Sequence, residues 1–157
     1  MRRRQAAKLS KKTSNSQARS RARRCAVQAI YQWQVGGHLI TEVEAQFLAD
    51  QDLSRADVAY FSELVRCVPA HTAELDAHLA PFLDRPIAEL DPVELAVLRI
   101  GACELAYHPE IPFRVVINEA VELAKVFGAD QSHRYINGVM DKVARSLRRA
   151  ELKINTQ

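Results

Sequence analysis

Apolar residues recur at helical spacing almost without interruption from Arg19 onward. Ala22, Ala26, Ile30 and Trp33 make one buried face, which ends near Gly36 and Gly37. "TEVEAQFLAD" opens on Thr41 with Glu44 three residues later, the spacing of a capping box for a short helix. Phe61, Leu64, Val65, Val68, Thr72, Leu75, Leu79 and Phe82 then keep one helical face. Pro69 lies inside that run. It lacks a backbone donor and clashes with the carbonyl of Val65, so a kink within one continuous helix is expected there.

"LDPVELAVLRIGACELAYH" carries the clearest start signal: Asp91 as N-cap, Pro92 at the first helical position and Glu94 completing a capping box. Its apolar residues lie nearly all round, which predicts a central buried helix, with Gly101 admitting a close neighbour. The next helix is expected from Pro112. It buries Val116, Ile117, Ala120, Val121, Leu123 and Ala124 and stops at Gly128. Ser132 is then placed to cap a last helix with Ile136, Val139, Met140, Val143 and Leu147 as its stripe. No alternating strand pattern of useful length appears. The fold class is all-α, with about six to seven helices.

Composition adds a boundary. With 157 residues, 48% hydrophobic and 26% charged, the chain fits one globular domain. No apolar run is long enough to span a bilayer, and the basic start lacks the apolar core of a signal peptide, so a cytoplasmic protein is expected. Residues 1–17 have few large apolar side chains and read as a disordered basic tail. The helical domain then covers 18–150, and 151–157 form a short C-terminal tail.

Charge changes the picture more. Residues 1–41 hold ten Lys and Arg and no acid, whereas the rest holds twelve against nineteen Asp and Glu. The net +3 thus hides a strongly cationic arm on a mildly acidic body. Such asymmetry points to a polyanion partner, nucleic acid or an anionic surface; the alternative is a solubilising tail. In "ARSRARRCAVQAIYQWQ" the arginines run directly into the apolar face of a helix, with no break between them.

Chemistry is sparse. The chain has no GxGxxG, Walker, HExxH or GxSxG motif, and His38, His71, His78, His108 and His133 are scattered. Cys25, Cys67 and Cys103 form no CxxC pair and read as buried, inert thiols in a reducing compartment. No catalysis, metal or cofactor is expected. Binding is.

The segments "RRCAVQAIYQWQ", "LDPVELAVLRIGACEL" and "IPFRVVINEAVELAKVFGADQSHRYINGVMDKVA" resemble, in this order and spacing, the signature segments of the NusB family, from about Arg19 to Leu147. The resemblance implies two packed helical bundles. It implies binding to boxA RNA of ribosomal RNA leaders together with NusE, a small-subunit ribosomal protein. With other Nus factors and RNA polymerase, that pair suppresses premature termination.

By the same resemblance, Arg19, Arg21 and Arg23 match the arginine-rich start of the family's first helix, with Arg24 a further cation where relatives often carry an acid. Arginines there neutralise phosphates and give affinity with little sequence information. Phe127 and Tyr135 match two aromatic positions that meet RNA, where splayed bases stack on flat rings. Phe127 equally continues the apolar stripe of its helix. Ser132, His133 and Arg134 stand at a helix N-terminus, which favours a phosphate, though Ser132 also suits a cap. Tyr31 and Glu94 match contacts with NusE; Glu94 also fits its own capping box. Gln131 replaces an acid common among relatives, and Pro69 is no recognised family feature.

Three other readings stand beside this one: a stand-alone relative of the NusB-like domain of ribosomal RNA methyltransferases, a helix-turn-helix DNA regulator, and a helical adaptor. Under the RNA-binding reading, affinity falls steeply with salt, each phosphate contact adding roughly 0.7 to the log–log slope. Deleting residues 1–17 is expected to weaken boxA and scrambled RNA alike, leaving their ratio nearly fixed in a filter-binding comparison.

Overall fold

A computed structural model of the chain describes residues 2–155, with side chains over 15–152. Among the described residues eight α-helices make the fold: α1 (Arg2–Gly36), α2 (Ile40–Asp50), α3 (Val58–Ala70), α4 (Thr72–Leu79), α5 (Pro92–Tyr107), α6 (Phe113–Phe127), α7 (Ser132–Leu147) and α8 (Arg149–Asn155). Short 3-10 turns at Ala80–Phe82 and Ile87–Glu89 link α4 to α5. No strand occurs among the described residues. Helices α1 to α3 pack together, α4 to α7 form a second group, and α5 touches α1, α3, α4, α6 and α7. The expected central helix is therefore α5, where every residue from Ala96 to Leu105 is buried.

The core follows the predicted stripes. Ala22, Ala26 and Ile30 of α1, Phe61, Leu64, Val65 and Val68 of α3, and Ile136 and Met140 of α7 are fully buried. Gly101 lets α7 in: a Cβ there would lie 2.7 Å from Met140 Cε. Helix α1 stops where the glycines stand, with Gly37 in the left-handed region at φ 68°.

Several expectations are corrected. Pro69 does more than kink a helix. Helix α3 ends at Ala70, His71 takes φ −125° and ψ 21°, and α4 begins at Thr72. Proline offers Val65 no donor, and the Thr72 hydroxyl takes up the carbonyl of Val68 at 2.8 Å. The apolar spacing runs through the break, because Val68, Leu75 and Leu79 still face one core. Thr41 and Glu44 form no capping box either. Helix α2 starts at Ile40 without a side-chain cap, and the buried Glu44 instead takes Arg66 of α3 at 3.0 Å. The backbone of α1 is helical from Arg2, and the side chains before Asn15 lie outside those described. The 151–157 tail is helical to Asn155.

Buried polar ties join the helices at the centre. Arg23 on α1 is 3% exposed, and its Nε and Nη2 donate to the Glu104 carboxylate of α5 at 2.8–3.0 Å. Tyr60 of α3 donates its hydroxyl to the same carboxylate. Glu119 of α6 lies 3.6 Å from Arg23 and accepts the Ser20 hydroxyl at 2.8 Å. Burial opposes the charge on Arg23, but the hydrogen bond and charge of Glu104 outweigh it and raise its pKa. Burial and the adjacent Glu104 likewise raise Tyr60. A second tie joins Arg99 of α5 to Asp76 of α4 at 2.9 Å and to Gln34 of α1 at 3.0 Å.

Removing one partner of a buried pair leaves the other charge without compensation. Glu104→Ala is expected to lower unfolding stability by about 3–5 kcal/mol in urea titrations. Arg21→Ala, on the exposed side of α1, is expected to change it by less than ~0.5 kcal/mol.

Candidate nucleic-acid interface

Helix α1 divides its residues between two sides. The inner side carries Ala22, Ala26, Ala29 and Ile30, all at 0% exposure. The outer side carries Arg21, Arg24, Gln28, Tyr31 and Val35, all exposed. These outer positions recur at i, i+3, i+7, i+10 and i+14, so they form one stripe. It changes along its length from two cations through an amide to an aromatic and an aliphatic side chain.

The arginine comb is thus smaller than the sequence suggests. Arg23 is removed from it, because its guanidinium is fully committed inside the core. The helical period places it on the inner side, beside Ala22 and Ala26. Arg19 is partly exposed. It lies 3.9 Å from Asp57 and stacks 4.7 Å over the ring of Tyr60. Arg21 donates to the carbonyl of Arg55 at 3.3 Å and makes no ion pair among the described residues. Arg24 is exposed and makes no ion pair among the described residues.

The apolar end of the stripe borders a groove of about 570 Å³. Gln28, Tyr31 and Val35 of α1 form one wall, with Phe47 of α2, Val93 of α5 and Phe127 of α6 opposite. Phe127 is only partly buried: one side packs on the core, as its stripe position requires, while the ring lines the groove with Tyr31. Tyr135 lies elsewhere. It lines a groove of about 440 Å³ with Arg134, Lys142 and the Pro81–Asp84 segment. Its hydroxyl accepts from the Asp84 amide at 3.3 Å, Arg85 sits 5.8 Å from its ring, and burial raises its pKa.

Between α6 and α7 the chain turns tightly. Gln131 takes a left-handed φ of 70° as it enters α7. Ser132 does not cap that helix. It is buried, and its hydroxyl donates to Glu94 Oε1 of α5 at 2.9 Å. Glu94 therefore completes no capping box; Asp91 alone caps α5, accepting from the amides of Val93 and Glu94. The Glu94 carboxylate also stands beside the N-terminus of α7, a position a phosphate would otherwise favour. That leaves His133, half-buried, and the exposed Arg134 at the edge of this turn, with Arg134 as its cation.

Comparison with known proteins decides the family. The NusB family model matches residues 20–145. The chain belongs to the NusB family. The transcription antitermination protein NusB of Nitrosococcus oceani is 55% identical over 88% of this chain and 93% of its own. That of Idiomarina loihiensis is 57% identical, covering 83% of this chain and 94% of its own. Among solved structures, one of the antitermination factors NusB and NusE in complex with dsRNA aligns at TM-score 0.73. It is 26% identical, covering 81% of this chain and 96% of that one. The NusB of T. maritima aligns at TM-score 0.73 with 23% identity, covering 85% and 96%, and shares the fold.

Within this NusB fold the sequence reading missed two groups. Glu104 escaped notice in an apolar run, although an acid in a helix apolar on all sides must find a buried partner. Val93, Gln28 and Val35 were missed because only the geometry of α1, α5 and α6 together reveals the groove. No helix among the described residues is long and apolar enough to cross a membrane, and no cluster of three metal-ligating side chains occurs among them.

Gly128 is closely enclosed where α6 gives way to the turn before α7. A Cβ there would lie 2.7 Å from the Ala124 carbonyl oxygen and 2.8 Å from Ser132 Oγ. Gly128→Ala is expected to cost about 1–3 kcal/mol by overpacking, read as a lowered melting temperature. Gly138→Ala serves as the control, with no such cost expected, because nothing lies within 4 Å of the position its Cβ would take.

Proposed function

We propose that the protein binds boxA RNA of ribosomal RNA leaders together with NusE. With other Nus factors on RNA polymerase, that complex suppresses premature termination. The observation that carries this reading is the outer stripe of α1, which passes from Arg21 and Arg24 to Tyr31 and Val35 without leaving one helix face. Its cationic end suits RNA phosphates, which reward charge with little regard to sequence. Its apolar end opens onto the groove with Val93 and Phe127 and suits a protein surface. A protein docked at Tyr31 would then lie beside RNA held at Arg24. The NusB relative whose structure includes NusE and dsRNA supports placing both partners on one such chain.

Tyr135 supplies a candidate stacking platform. Its hydroxyl is tied to the Asp84 amide, which fixes the ring's orientation, and Arg134 and Lys142 bring positive charge to the same groove. Arg134 extends that cationic edge, with His133 beside it as a hydrogen-bonding group. Arg19 contributes charge near Asp57, where its effect on phosphate is partly offset.

The deciding experiment compares boxA RNA, DNA of the same sequence and a scrambled RNA, each with and without NusE. Tight binding of boxA RNA alone, strengthened by NusE, is expected. Equal affinity for all three would overturn the sequence-specific reading.

Arg21→Ala combined with Arg24→Ala is expected to weaken RNA binding and to reduce the salt slope by roughly 0.7 per lost phosphate contact. Tyr135→Ala is expected to weaken boxA binding by about 1–3 kcal/mol with little change in melting temperature, as loss of a stacked base requires.

A further inference from the structure

The chain after residue 41 is acidic, yet its unpaired cations gather in one place. Arg66, Arg85, Arg99, Lys125, Arg145 and Arg148 each pair with a carboxylate. Arg55, Arg114, Arg134, Lys142 and Arg149 are exposed and make no ion pair among the described residues. Arg55 stands beside Arg21, before α3. The other four lie on α7 or at its flanks.

Helix α7 turns Ile136, Val139, Met140 and Val143 to the core. Its outer face carries Arg134, Gly138, Lys142 and Arg145, all exposed and spaced i, i+4, i+8 and i+11. Nothing lies within 4 Å of the position a Gly138 Cβ would take, so the middle of the face is bare backbone that a ligand can approach. On one side runs the groove of Tyr135 with Arg134 and Lys142. On the other, a groove of about 310 Å³ brings Arg114 and Asn118 of α6 beside Asp141 and Arg145. Asp141 is the acid of this face, and Arg145 holds it at 3.0 Å, which leaves the face positive. Arg149 opens α8 directly after Arg148, the C-cap of α7.

Helix stability does not account for this placement. Arg114 and Arg134 stand in the first turns of α6 and α7, neither of which holds an acid. The dipole disfavours a cation there, so each arginine works against its own helix. A bound polyanion offsets that cost. No large apolar side chain of α7 is exposed among the described residues, which disfavours a protein partner on this face.

We propose that the outer face of α7, flanked by Arg114 and Arg149, is a phosphate track for RNA that continues beyond boxA. It rests on the RNA-binding part of the reading above. The track begins at the Tyr135 ring and leads past Gly138 to Arg145. From Arg134 to Arg145 it rises roughly 16 Å, which about five nucleotides cover at ~3.4 Å per phosphate of a stacked strand. Its contacts are to phosphate, so flanking RNA of any sequence is held.

The test compares RNA ending at boxA with RNAs carrying about five further nucleotides at one end or the other, over a range of salt. One of the two extensions is expected to tighten binding several-fold and to steepen the salt slope by roughly 0.7 per added phosphate contact. An extension of abasic ribose phosphates should serve as well. Arg114→Ala with Arg149→Ala should remove about two contacts and lower the slope for the extended RNA by roughly 1.4. Binding of the shorter RNA and the melting temperature should stay unchanged. Extensions that add nothing at either end, or a double substitution that weakens both RNAs equally, would overturn the proposal. So would loss of NusE affinity with both RNAs bound as before, which would assign the face to protein. Failure of the boxA reading looks different: boxA binds no tighter than a scrambled core, while the extension still adds affinity and slope. That result would leave the track standing.

Discussion

The guanidinium of Arg23 and the carboxylate of Glu104 hold the two helical groups in one arrangement. Each is a charge buried at a depth where an isolated ion is costly, so each requires the other. Tyr60 brings α3 to the same carboxylate, and Glu119 brings α6 to the same guanidinium. Four helices thus meet at one ion pair whose geometry is bidentate and directional, unlike the apolar contacts around it. Apolar packing alone would tolerate small rotations of α1. A bidentate pair tolerates far less, and in fixing the inner side of α1 it also fixes where the outer stripe points.

Helix α5 is tied down at both ends as well as in its middle. Asp91 satisfies the first amides, and at the other end Arg148 donates to the carbonyls of Glu104, Leu105 and His108 at 2.8–3.2 Å. Glu151 pairs with Arg148 at 2.7 Å and accepts the Phe113 amide at 3.0 Å. The C-terminal segment therefore closes the end of the central helix and the start of α6. Near the other end, Glu94 reaches Ser132 and couples α5 to the turn that carries the candidate RNA edge. The surfaces proposed for RNA and for protein share this scaffold.

Much of the fold was legible because burial writes a period into the sequence. The stripes of α1, α6 and α7 and the start of α5 could be read directly from apolar spacing, Asp91 and Pro92. The Pro69 break was misjudged because Val68, Leu75 and Leu79 keep their phase across it. Caps were misjudged where a tertiary partner competes: Glu44 prefers Arg66, and Glu94 and Ser132 prefer each other. The site was legible in kind and less so in detail. The arginines were visible as a cluster, but sorting Arg23 from Arg24 needs the helix phase, set by which neighbours are buried. Tyr31 and Phe127 lie far apart in the chain, and only the packing of α6 beside α1 makes them neighbours.

The outer stripe of α1 has a consequence for which sequences this fold can accept. Because one unbroken helix carries both ends of it, their separation is counted in residues at ~1.5 Å each, and their direction at ~100° each. A single residue inserted between Arg24 and Tyr31 would swing everything on one side of it by that angle. Either the arginine would be driven toward the apolar interior, with Arg23 pulled from Glu104 in the process, or the tyrosine would. Loops elsewhere can lengthen at modest entropic cost. This segment can change its side chains, but its length is locked.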